Sequence, residues 1–205
     1  MENASSNIPL EVHVGALTHF PHLQTITESI RRGTLRVIAF DPAYVHWPQN
    51  NYQGIELVPK SGEWTGLDTS STNDVWLLNV LNDAVKKSSS GKWLPKVERN
   101  EISEALFREA VRIVKPTGVI HVGADNTPEE FPYWKVEAMA YRYHLRCETL
   151  VHCIVGKPTT EQIALYKQLT DRDWRPPYHD YAYFVELRKE AVDSDSFPTP
   201  ATVSR

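Results

Sequence analysis

Residues 74–125 contain DVWLLNVLND (74–83), a long polar stretch, NEISEALFREAVRIV (100–114), KPTG (115–118) and VIHVGAD (119–125). The first segment has the length and apolar character of a buried strand. NEISEALFREAVRIV is a capped amphipathic helix, KPTG a break, and VIHVGAD a second buried strand. A strand, a crossover helix and another apolar strand make a βαβ unit, which imposes parallel pairing and a right-handed connection. Open parallel sheets place their ligand sites at the carboxyl ends of the strands. Asn79, Asn82, Asp83 and Asp125 therefore fall where chemistry would sit.

Upstream, LEVHVG (10–15) reads as a short strand. Leu23, Ile26 and Ile30 follow at helical spacing, with Gly33 just past the helix end. LRVIAF (35–40) is a strand closed by Asp41-Pro42, and residues 44–52 are aromatic and polar without a clear period. GIELVP (54–59) is a third strand, and the turn-rich segment after it stands where a helix would be expected before the fourth. Downstream, Thr127, Pro128 and Glu130 form a capping box for a helix to about Leu145. CETLVHCIVG (147–156), a helix opened by Pro158-Thr159 and the strand YAYFVELRK (181–189) complete seven strands. Residues 1–8 and 191–205 read as disordered termini around a single domain, 9–190.

Composition sets the class. The chain has 205 residues, 41% hydrophobic and 23% charged, which suits one domain with a substantial core. No apolar run approaches the roughly 20 residues that a membrane-spanning helix needs. MENASSNIPLE has neither the basic start nor the apolar run of a secretory signal. Cys147 and Cys153 are the only cysteines, too few for a disulfide framework. A cytoplasmic protein without membrane attachment is the expectation. The net charge of −4 argues against a large nucleic-acid footprint. The basic stretch KKSSSGKWLPKVER (86–99) reads first as a solvated loop; a phosphate-binding patch and a substrate-covering lid carrying Trp93 are the other readings.

The order DVWLLNVLNDA…ALFREAVRIVKPTGVIHV resembles the second half of class I S-adenosylmethionine (SAM)-dependent methyltransferases. In that family an acidic strand, an Asn, a helix and an L-K-P-G-G phrase precede the next strand, and Val114-Lys115-Pro116-Thr117-Gly118 is similar to that phrase. The resemblance implies an α/β Rossmann-like sheet of seven strands in the order 3-2-1-4-5-7-6, the last antiparallel, with helices on both faces. It also implies SAM as cofactor. The family's D-x-G-x-G-x-G turn corresponds to His13-Val14-Gly15-Ala16-Leu17-Thr18-His19, where only Gly15 stands at a glycine position and His13 replaces the acid. The glycines of that turn let the backbone pass close to the ligand, so the turn is either remodelled or lost as a SAM site.

Carried over residue by residue, the resemblance gives His13, Gly15, Asp41, Glu63, Trp64 and Asn79 as cofactor contacts. Asp41 would receive the ribose hydroxyls, as a carboxylate accepts two charge-assisted hydrogen bonds; a turn-capping role before Pro42 is the competing reading. Trp64 would stack on adenine, unless it is a core or surface tryptophan. Asn79, Asp83 and His121 are the catalytic candidates, since methyl transfer needs positioning and, for some acceptors, a general base. Asp83 could instead cap a helical turn, and His121 could be a satisfied strand histidine.

Asp41-Pro42-Ala43-Tyr44 also resembles the [DN]PP[YFW] motif of amino-methyltransferases, with Ala43 breaking the pattern and the position falling after the second strand. His13, His19 and His22 lack the spacing of a zinc site, so no metal is expected. The loop aromatics, among them Tyr44, Trp47, Tyr52 and Trp64, suit a substrate pocket or a face for a partner subunit equally well. The two functions left standing are methyl transfer to a small molecule or protein side chain, and a catalytically inactive domain serving as a binding or scaffold subunit.

Overall fold

The computed structural model describes residues 8–16, 20, 22–47, 49–78, 80–83, 94–124, 133–154, 160–170 and 181–190. Their strands are β1 (Leu10–Val14), β2 (Arg36–Phe40), β3 (Asn51–Tyr52), β4 (Ile55–Val58), β5 (Thr72–Leu78), β6 (Val114–Ala124), β7 (Leu145–Ile154) and β8 (Tyr181–Lys189). The helices are α1 (Leu23–Arg31), α2 (Val80–Asp83), α3 (Lys96–Ile113), α4 (Tyr133–Arg142) and α5 (Thr160–Thr170), with a 3₁₀ turn at Pro42–His46. All eight strands form one sheet in the order β3-β4-β2-β1-β5-β6-β8-β7. Strands β4, β2, β1, β5 and β6 run parallel, and β8 enters antiparallel between β6 and β7.

Without the two-residue β3, this order is third-second-first-fourth-fifth-seventh-sixth, the arrangement that the resemblance implied. The eighth strand is a difference. Tyr52 pairs with Ile55 across Gln53 and Gly54, both at positive φ. Two successive left-handed residues make the tight hairpin turn whose twist suits antiparallel strands. The hairpin lies against α1, where a Cβ on Gly54 would meet Ile30 Cγ2 at 2.7 Å.

Several boundaries also differ from the sequence reading, among them the end of the fourth helix at Arg142 and the start of β7 at Leu145. The apolar run 74–83 does not stay extended: β5 ends at Leu78 and the chain turns helical at Val80, which buries Val80 and Leu81. Helix α3 starts at Lys96, four residues before the reading placed it. Residues 115–118 are not a break before the strand but a bulge inside β6. Thr72 pairs with Val114 and Asp74 with Val119, so this segment stands opposite Asn73 alone. Lys115 Nζ donates to Asn73 Oδ1 at 3.0 Å across the bulge. The capping box at Thr127, Pro128 and Glu130 lies outside the described residues, as do the two termini.

Parallel strands covered on both faces bury both sets of alternating side chains. In β2, Ile38 and Phe40 join a large cluster with Val12, Val14, Val75, Leu77, Ile120, Val122 and Val185. Helices α3 and α4 close that face through Leu106, Phe107, Ala110, Ile113, Val136 and Met139. Val37 and Ala39, one residue out of phase, join a smaller cluster with Ile26, Tyr44, Ile55 and Leu57 under α1. The stretch between β4 and β5 carries no helix. It is held to α3 instead: Glu109 Oε1 accepts from the Thr65 N–H at 2.9 Å and hydroxyl at 2.6 Å, and the Arg112 guanidinium donates to the Leu67 carbonyl at 2.7 Å. No helix among the described residues is long and apolar enough to cross a membrane.

Candidate functional site

The parallel strands end at Val14, Phe40, Val58, Leu78 and Ala124, and this carboxyl edge is where the sequence placed the site. Gly15 follows β1 with φ +70°, and its N–H donates to the Phe40 carbonyl at 2.8 Å. A side chain there would be strained by the backbone and would strike Val80, whose Cγ2 would lie 2.6 Å from an added Cβ. The room left by the glycine is therefore taken by the first residue of α2. Leu17 and His19 lie outside the described residues.

Asp41 stands at the end of β2. Its Oδ1 accepts the Ala43 N–H at 2.8 Å, which makes it the cap of the 3₁₀ turn with Pro42 in the first position. Its second carboxylate oxygen makes no hydrogen bond among the described residues. The turn-capping role read from the sequence therefore takes one oxygen of Asp41 and leaves the other without a partner among the described residues. Tyr44, the aromatic of Asp41-Pro42-Ala43-Tyr44, is buried, and its burial followed by the nearby Asp41 carboxylate pushes its phenol up. A buried ring cannot stack on a flat substrate, so the amino-methyltransferase reading of this motif is corrected. Trp47 packs edge-on against Tyr44 at 5.7 Å and Tyr52 at 5.9 Å, and Tyr52 stacks on Phe20 at 6.0 Å. These aromatics pack against one another at the edge of the smaller core.

Gly62 packs against Val14 at the end of β1, so Glu63 follows a residue at the edge, while Trp64 turns away from it. Glu63 accepts from the Ser61 hydroxyl at 2.9 Å. The exposed Trp64 ring lies under the Arg112 guanidinium, 5.5 Å from its centroid. Arg112 is in the last turn of α3, at the end that feeds β6 and away from its carboxyl edge. Trp64, expected as an adenine contact, lies at that end because Thr65 is bonded to Glu109 and draws its neighbour down α3. Burial pushes the Glu109 carboxyl up, but the bonds from Arg112 and Thr65 prevail and hold it below the ordinary carboxylate value. Asn79 lies outside the described residues, and so do the side chains of Asn82 and Asp83, whose backbones form α2.

His13 and His121 lie within strands, not at their ends. The register aligns Glu11 with Asp74, and His13 with Trp76, His121 and Glu186 across β1, β5, β6 and β8. His13 stacks on Trp76 at 5.7 Å and bonds Glu11 Oε1 through Nε2 at 2.6 Å. His121 stacks on the same indole at 3.8 Å and bonds Asp74 Oδ1 through Nε2 at 2.9 Å. Its Nδ1 faces Glu186 Oε1 at 3.4 Å, near enough for charge attraction but outside hydrogen-bond geometry. Burial pulls the His121 imidazolium down, yet Asp74 and Glu186 outweigh it and raise its affinity for a proton. Both rings take part in a polar row across the sheet: His121, expected as a general base, is held by Asp74, and His13, expected as a cofactor contact, by Glu11.

Residues absent from the sequence reading hold this arrangement together. Asp74, Trp76 and Glu186 were detectable as polar or aromatic residues alternating with buried ones in β5 and β8. Ser103 donates to the Leu81 and Arg99 carbonyls and ties α2 to α3, which no local pattern announces. Between α3 and α4 opens a hollow of about 170 Å³ lined by Asn100, Ser103, Glu104, Trp134, Met139 and Arg142, where Arg142 is already paired with Glu104 at 2.7 Å. No group of three or more His, Cys, Asp or Glu side chains among the described residues could hold a metal ion.

No family model matches this sequence, and no curated protein matches it. Solved structures do. A SAM-dependent methyltransferase from Aquifex aeolicus superposes with a TM-score of 0.54 at 12% identity, over 87% of this chain and 81% of that one. The Burkholderia thailandensis 1,6-didemethyltoxoflavin-N1-methyltransferase, with bound 1,6-didemethyltoxoflavin and S-adenosylhomocysteine, gives 0.54 at 12% identity over 90% and 72%. The 4+2 cyclase SpnF gives 0.56 at 14% identity over 90% and 75%. This chain has the class I methyltransferase fold, and at such identities the likeness speaks for the fold alone.

Proposed function

We propose that this chain binds SAM at the carboxyl edge of β1, β2 and β5 and transfers its methyl group to a small molecule or a protein side chain. The observation that carries the reading is Asp41. A carboxylate at the end of β2, fixed by its own turn and keeping one oxygen without a partner among the described residues, suits a vicinal diol. The bound SAM of such an enzyme supplies an electrophilic methyl group. The work of the chain is then to hold donor and acceptor in line and keep water from the edge. Asn79 and Asp83 are proposed as the catalytic residues of that transfer.

The second reading, an inactive domain kept for binding, is favoured by one specific observation. Val80 Cγ2 occupies the space beside Gly15 that the family's open turn would leave for the ligand backbone. The SpnF likeness adds that this fold also carries chemistry described as a cyclisation.

Calorimetry and thermal shift with SAM separate the two. Asp41→Asn is the informative variant because it keeps an acceptor for the Ala43 N–H while removing the charge. The expected result is SAM binding that weakens about tenfold in Asp41→Asn. Absence of binding by the wild-type chain at about 1 mM SAM would remove the enzyme reading. Binding indifferent to Asp41→Asn would remove the site assignment alone.

A further inference from the structure

The inward stripe of α3 runs Ser103, Leu106, Phe107, Ala110 and Ile113, all buried. Its continuation one turn toward the helix N-terminus is Arg99. The crossover geometry sets that end of α3 at the carboxyl edge, because α3 follows β5 and descends to the start of β6. Ser103 accentuates the placement, as its hydroxyl donates both to the Arg99 carbonyl and to the Leu81 carbonyl of α2. An arginine thus occupies a core-facing position at the height where the sheet ends and α2 begins.

Its partners are the unusual part. Arg112 and Arg188, the other partly buried arginines among the described residues, are paired with Glu109 and Glu148. Of the exposed arginines, Arg32, Arg142 and Arg146 are paired, whereas Arg31, Arg36 and Arg108 have no ion pair among the described residues. Arg99 has no ion pair among the described residues, and its Nε is buried without a hydrogen-bond partner. A buried guanidinium donor left unmade costs stability, and the sequence accepts that cost at the one edge where a ligand would satisfy it.

We propose that Arg99 receives an oxyanion, a carboxylate or phosphate, carried by the molecule acted on at the carboxyl edge. The assignment rests on the reading of that edge as the site of methyl transfer, and it narrows the acceptor to an anionic one. Arginine suits the task through the side-on pair formed by Nε and one Nη, which matches two oxygens of either group.

The test uses the full chain. The Arg99 Nε–H resonance is identified by its disappearance in Arg99→Gln, and inorganic phosphate and benzoate are titrated separately to distinguish the two sources. The expected result is that one anion moves the resonance and binds the wild type about tenfold more tightly than Arg99→Gln. Without anion, Arg99→Gln should melt no lower than the wild type, because it removes an unpaired buried donor. No movement with either anion, or equal binding by both proteins, overturns the proposal. So does a clearly lower melting temperature of Arg99→Gln, which would make the guanidinium structural. SAM alone moving the resonance would hand Arg99 to the SAM carboxylate and overturn its assignment to the acceptor. Anion binding without SAM binding would sink the methyltransferase reading and leave the oxyanion site standing.

Discussion

His121 shows how one residue's surroundings decide between chemistry and architecture. A histidine in a strand is chemically able to act as a base, but this one has Nε2 at 2.9 Å from Asp74 and its ring 3.8 Å from the Trp76 ring. Its proton affinity is raised in the folded chain. The stabilisation it brings is therefore complete below the unfolded-state value of about 6.5 and is lost as pH rises through the higher folded value. Melting temperatures measured between about pH 6 and pH 9 should fall more for the wild type than for His121→Gln. Parallel curves would contradict this. Gly15 makes a steric counterpart. Gly15→Ala should cost about 3 kcal/mol, part from the left-handed backbone and part from the clash with Val80. In a Val80→Ala background the clash disappears, and the same change should cost only about 1 kcal/mol by urea denaturation. An undiminished cost there would show that Val80 is not the obstacle.

At the scale of elements, α3 organises the molecule. Its inward stripe closes the larger core, its first turn reaches the carboxyl edge, and its last turns fasten the stretch between β4 and β5. That last task falls to Glu109, which binds Thr65 and Arg112 together. Glu109→Gln should destabilise the chain by about 2 kcal/mol, since it weakens a buried acceptor that serves several donors. A loss below about 0.5 kcal/mol in urea denaturation would mean that the loop holds without it. Ser103 is the corresponding tie at the other end. Ser103→Ala leaves the Leu81 carbonyl short of a donor and should cost about 1 kcal/mol.

The whole molecule depends on one sheet with two unequal cores. Strand β2 contributes Ile38 and Phe40 to the larger and Val37 and Ala39 to the smaller, so neither cluster can be lost without disturbing the other. A single unfolding transition is expected, with tryptophan fluorescence and far-ultraviolet dichroism giving one midpoint. Two separated midpoints would show that the clusters melt independently.

Much of this architecture was legible in the sequence because it depends on local regularities. Apolar runs of strand length, helical spacing in 100–114 and glycine at Gly15 and Gly33 gave the alternation of elements, while the sheet order came from the resemblance to the class I methyltransferases. The place of Asp41 at a strand end was legible for the same reason, and its ribose role is what the resemblance implies. What the sequence could not carry were relations between distant elements. The path of Trp64 depends on Glu109, forty-four positions from Thr65, and the company of His121 is set by strands β5 and β8. Arg99 was only one cation in a basic stretch until the helix phase set it on the inward stripe. The chain determines by itself where strands and helices form, since backbone preference and hydrophobic period act over a few residues. Which polar groups meet, and which is left without a partner, is decided only when the sheet closes and burial sets the cost of each unmade bond.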